Sequence, residues 1–171
     1  TTGAKVPTEC SPGTVQPDKG QGTCARCEAG TFQHAAGSSV CLVCTAGSYC
    51  EAGASTPLPC SEGTFSSVSG LGSSTQCTAC PAGSSCSTGS LEHTPCSAGT
   101  VQPVDGQKEC VDCEAGKFMN VSGKLECYEC VAGSYCEEGS SAPLPCAAGR
   151  FGVVTGLASA AECSPCPPGS A

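Results

Sequence analysis

The cysteines fall into a strict repeat, and that repeat limits what the chain can fold into. From Cys10 the steps between successive cysteines are 14, 3, 14, 3, 6, 10, 17, 3, 6 and 10, and from Cys96 the first eight steps recur. Every cysteine from Cys10 to Cys80 therefore has a counterpart 86 residues on, Cys10 with Cys96 and Cys80 with Cys166 among them. Aligned on that period, residues 10–85 and 96–171 are identical at about half their positions. A fixed period marks a tandem array whose units stack on their neighbours. Residues 10–95 read as the first repeat, 96–171 as a second, truncated one, and 1–9 as the end of a preceding short module. Two periods would be 172 residues against the 171 present, so the segment is expected to be a window cut from a longer array.

A shorter unit lies inside the period. Ten modules open with C-x-x-G, at Cys10, Cys27, Cys44, Cys60, Cys80, Cys96, Cys113, Cys130, Cys146 and Cys166. A glycine three residues after each cysteine suits a tight turn at positive φ or a close backbone approach. Shortly after it comes one larger apolar residue in most modules, such as Val15, Phe32, Tyr49, Phe65 or Phe118. One such side chain per module is too little for a core, though enough to cover a disulfide or plug a joint. Long modules close with C-x-x-C after a polar loop; short ones read CTAGSYCEAGASTPLPC (44–60) and CVAGSYCEEGSSAPLPC (130–146). The Pro-Leu-Pro runs at 57–59 and 143–145 predict an extended polyproline-like connector. No stretch carries a sustained 3.6-residue period with caps, so short strands and turns are expected, with no helices.

Composition explains why the cysteines must carry the fold. Cys numbers 19 of 171, while Val, Leu, Phe, Tyr and Met together number 27 and Ile and Trp are absent. A chain this poor in large apolar side chains cannot build the continuous core of an ordinary enzyme fold, and without covalent help it would stay disordered. Lys plus Arg is 7 against 15 Asp plus Glu, a net charge of −8, which leaves no basic patch for nucleic acid. No run of 18 apolar residues exists to span a bilayer as a helix.

Three roles compete for the cysteines. Cys24, Cys27, Cys41 and Cys44 have the two-pair spacing of a zinc ribbon, but the 6- and 10-residue steps fit no zinc pattern. Redox chemistry would need a helix N-terminus to lower a thiol pKa, and no helix is predicted. Structural disulfides in an oxidising compartment fit best. Spacing alone does not fix connectivity. One non-overlapping solution places one bond in each module: Cys10–Cys24, Cys27–Cys41, Cys44–Cys50, Cys60–Cys77, Cys80–Cys86, Cys96–Cys110, Cys113–Cys127, Cys130–Cys136 and Cys146–Cys163. It leaves Cys166 unpaired in this window, its partner expected at position 172.

The long modules resemble ephrin-receptor-like cysteine-rich repeats and, more distantly, the first half of tumour-necrosis-factor-receptor repeats. CEAGTF (27–32), CSEGTF (60–65) and GLGSSTQCTACPAGS (70–84) carry the likeness. The resemblance implies an extracellular location, a disulfide from each opening cysteine to the first cysteine of C-x-x-C, an elongated string of small β modules, and no catalysis. The short modules depart from the receptor pattern and resemble the long cysteine-rich surface proteins of protists and algae.

A few further residues carry chemistry. Asn120-Val121-Ser122 is an N-glycosylation sequon around the only Asn of the chain, with His34-Ala35-Ala36 as its counterpart one period earlier. Thr8, Ser55, Thr56, Thr94 and Ser141 lie close to prolines and are candidate O-glycosylation sites, although turn residues exposed to water read the same way. His34 and His93 are expected to be solvated loop residues. Glu51, Glu137 and Glu138 form no calcium-loop pattern. The expected fold is a small disulfide-rich β array of hairpin-like modules, needing no metal or cofactor. The expected function is structural and non-enzymatic: the backbone of a glycosylated surface filament, appendage or matrix fibre that associates with itself or with other extracellular structural proteins. The rival reading is the stalk or ectodomain of a cell-surface receptor or adhesin.

Overall fold

The structure, a computed structural model, describes residues 8–169. Residues 1–7, most of the segment expected to end a preceding module, lie outside them, as do 170 and 171. Described strands are two residues long and pair into two-stranded sheets. In the first module Thr14–Val15 pairs antiparallel with Ala25–Arg26, and in the second Thr31–Phe32 pairs with Leu42–Val43. The first strand follows the C-x-x-G turn and the second precedes the next opening cysteine. The small disulfide-rich β class read from the sequence is therefore the fold. Two single 3₁₀ turns, Ser74–Gln76 and Ala160–Glu162, interrupt the loops of the modules opening at Cys60 and Cys146.

The Pro-Leu-Pro runs are not connectors. Leu58–Pro59 is the second strand of its hairpin, paired with Ser48–Tyr49, and Leu144–Pro145 pairs with Ser134–Tyr135. A proline is tolerated there because the strand is an edge, where a missing N–H disrupts no further ladder.

Nine disulfides close the modules: Cys10–Cys24, Cys27–Cys41, Cys44–Cys50, Cys60–Cys77, Cys80–Cys86, Cys96–Cys110, Cys113–Cys127, Cys130–Cys136 and Cys146–Cys163. Their sulfurs replace a core. Among the described residues the buried apolar side chains are twelve cysteines plus Val15, Leu71, Val101, Met119 and Leu157. Phe32, Tyr49, Phe65 and Phe118 are only half-buried, and Phe151 is exposed. The described residues group into two compact units, those up to 78 together with 87–92, and 79–86 together with those from 93 on.

Within each unit, consecutive modules are joined by backbone. Between the modules opening at Cys113 and Cys130, the Gly116 N–H donates to the Cys136 carbonyl at 2.7 Å and the Met119 N–H to Ser140 at 3.1 Å. The Gly139 N–H donates to Cys113 at 2.8 Å, and the Cys130 N–H to Gly116 at 2.9 Å. The same four bonds recur between the modules opening at Cys27 and Cys44, through Gly30, Gln33, Gly53 and Cys44. These bonds settle buried backbone groups that would otherwise be orphaned.

Contact also skips a module. Gly116 has φ +87°, and a Cβ built on it would stand 2.5 Å from the Gly156 carbonyl oxygen, two modules on. Gly30 and Gly70 approach each other in the same way in the first unit. Glycine is required at these turns for its backbone conformation and because the backbone of another module lies where a side chain would be.

Candidate functional site

Among the described residues the candidate site is built from the joints and from the surface the hairpins present. The third residue after each C-x-x-G glycine sits at the joint, and its identity follows the module type. In short modules it is a disulfide cysteine, Cys50 or Cys136. In long modules it is often glutamine, whose side chain holds the polar loop. The Gln33 amide donates to the Val40 carbonyl at 2.7 Å and accepts from the Ala35 N–H at 3.0 Å. Gln102 donates to Glu109 at 2.7 Å and accepts from Val104 at 3.2 Å. Gln16 bridges Thr23 and Asp18 in the same manner. Gln33 and Gln102 are buried, and each uses both ends of its amide, as a buried polar group must.

Glutamine is absent from the modules opening at Cys60 and Cys146, where Ser66 and Gly152 stand, and from the one opening at Cys113. Met119 takes the glutamine position, fully buried with Val101, Cys113 and Cys127. Its loop, which carries the sequon, therefore lacks the two amide bonds. Asn120 is exposed at the start of that loop, and Val121 and Ser122 are exposed beside it. Thr8, Ser55, Thr56, Thr94 and Ser141 are exposed as well.

Each hairpin turns its second strand to solvent. Ala25, Arg26, Leu42, Val43, Leu58, Val111, Asp112, Tyr128 and Leu144 are all exposed. Across the hairpin, Tyr128 packs on Phe118 with ring centroids 6.0 Å apart. Beside Val111 and Asp112 opens a cleft of about 390 Å³ that also meets Val101, Pro103, Glu114 and Glu126. Lys117 stands in the same cleft and pairs with Glu114 at 3.1 Å.

The remaining candidates are scattered. Cys24, Cys27, Cys41 and Cys44, which share a zinc-like spacing, belong to three different disulfides. Cys166 is free and half-buried, its N–H donating to Gly149 at 2.8 Å. His34 is exposed with its ring 6.1 Å from that of Phe32, and His93 Nδ1 lies 3.0 Å from Ser84 Oγ. Glu51, Glu137 and Glu138 are exposed, and no group of three or more His, Cys, Asp or Glu among the described residues could hold a metal ion.

Two joint elements escaped the sequence reading. One is the glycine six or seven residues after each C-x-x-G glycine, such as Gly53, Gly70, Gly139 and Gly156. The other is the residue between the first strand and the loop. Both recur at fixed offsets, and aligning the modules on one another, rather than on the 86-residue period alone, exposes them.

Residues 13–58 match the family model for tyrosine-protein kinase ephrin type A/B receptor-like repeats. The matched span runs from the first C-x-x-G glycine into the second strand of the short module opening at Cys44, so it includes a module type that the sequence reading set apart from the receptor pattern. No curated protein matches the chain. Ephrin-receptor-like cysteine-rich repeats are non-catalytic modules of the extracellular, disulfide-rich class. No helix among the described residues is long and apolar enough to cross a membrane.

Proposed function

Starting from ephrin-receptor-like modules, we propose that this chain is a structural repeat, the backbone of a glycosylated filament, appendage or matrix fibre outside the cell. One observation carries the reading. Consecutive modules are joined by main-chain hydrogen bonds, and several modules two apart meet through glycines, so the stacking can be repeated without any particular side chain. Such a joint suits an array whose purpose is to extend. The second strands and loops are then free to carry glycans, at Asn120 and at the proline-flanked Ser and Thr residues, and to contact other copies. No focused cluster of buried aromatic and charged anchors, the usual signature of a tight partner site, stands out among the described residues.

Electron microscopy of native, unreduced material tests this. Regular filaments with an axial spacing equal to the 86-residue period, or to a whole fraction of it, are the expected result. Isolated single chains with no periodic order would overturn the proposal in favour of a stalk that presents a separate binding head.

A further inference from the structure

The cleft beside Asp112 has an uncompensated charge. Of its three carboxylates, Glu114 is paired with Lys117, while Asp112 and Glu126 have no ion pair among the described residues. Two valines and Pro103 give it apolar wall. A cleft of this kind fits a long cationic side chain whose methylenes lie on the valines and whose head reaches the carboxylates.

The chain supplies such a group at the equivalent place one period earlier. Arg26 occupies the position of Asp112, and both sit in the exposed second strand, opposite Thr14 and Thr100 respectively. Their seats match as well. The Arg26 Cδ would stand 3.5 Å from a Cβ on Gly53, and the Asp112 Oδ1 would stand 3.4 Å from one on Gly139. Arg26 is exposed and has no ion pair among the described residues. A second reversal lies nearby, Lys19 against Asp105, although the Asp105 carboxylate already accepts the Ala82 N–H at 2.7 Å.

We propose that Arg26 of one copy of this chain docks into the Asp112–Glu126 cleft of another. The two surfaces are different, so the contact is heterologous and propagates from copy to copy unless it closes into a ring. This rests on the structural reading above and names the surfaces that reading would use.

Sedimentation of the oxidised protein tests it, with wild type, R26D and D112R at low and high salt. Wild type should self-associate, and salt should weaken the association. Each single reversal sets like charges face to face and should weaken association by about tenfold. Mixing R26D with D112R should restore it, because the reversed charges then face each other on different chains. Rescue by mixing cannot arise within one chain. If wild type stays monomeric at every concentration, both this inference and the structural reading fall. If wild type associates and the single variants associate equally well, only the docking falls. Weakened variants that mixing does not rescue would also overturn the pairing.

Discussion

Replacing Gly116 with alanine tests whether the joints, and not the disulfides alone, hold the modules in place. Two costs arise. At φ +87° an L side chain pushes the backbone into the left-handed region, at about 1–2 kcal/mol. The new Cβ would also lie 2.5 Å from the Gly156 oxygen and 3.2 Å from its carbonyl carbon, backbone atoms that cannot rotate away. Relief needs a shift of roughly 0.8 Å, which stretches the 2.7 Å bond from the Gly116 N–H to Cys136 out of hydrogen-bonding range. Leaving that buried pair unmade adds about 1–3 kcal/mol. The sum is about 2–5 kcal/mol. Gly106 supplies the control: its φ is +74°, but nothing lies within 4 Å of a Cβ built there, so Gly106→Ala should cost only the conformational ~1–2 kcal/mol. Guanidinium unfolding with disulfides intact, followed by circular dichroism, measures both, and hydrogen exchange at the Gly116 and Met119 amides localises the loss. Equal destabilisation by the two variants would refute the idea that turns two modules apart are packed backbone against backbone.

Gln33→Met should cost about 1–2 kcal/mol by removing two bonds to its loop, and the Ala35 amide should exchange faster; an unchanged rate would show that the loop does not depend on the side chain. Removing Cys96–Cys110, a separation of 14 residues, by paired serine substitution should cost about 3 kcal/mol. Removing Cys130–Cys136, a separation of 6, should cost about 2 kcal/mol on the same loop-entropy argument, and denaturant midpoints of the two variants give the order. Asn120→Gln should abolish a mass shift on enzymatic deglycosylation of secreted protein; a shift that persists would place the N-glycan elsewhere or disprove it.

The fold class was legible because cysteine spacing and apolar content act over the whole chain. With so few large apolar residues, the only stable solution is a series of stapled turns, and the C-x-x-G glycines mark where each begins. Leu58–Pro59 was misread because a proline-flanked leucine looks like a connector when the strand it joins is two residues long. Strands this short have no alternation to detect, and only the partner Ser48–Tyr49 reveals them. The joints were hidden for a different reason. Their donors and acceptors are main-chain atoms, which every residue has, so only the glycines needed for close approach leave a trace. The Asp112 cleft was also hidden, since its lining is gathered from residues 101 to 127 across two modules.

Main-chain joints have an evolutionary consequence. Duplication or loss of a whole module by unequal recombination would leave the hydrogen bonds of the remaining joints intact, because their donors and acceptors are main-chain atoms. Point substitutions in the loops would be tolerated for the same reason, while the glycines and cysteines would not drift. Repeats related in this way can diverge over about half their positions, as residues 10–85 and 96–171 have, and still stack alike.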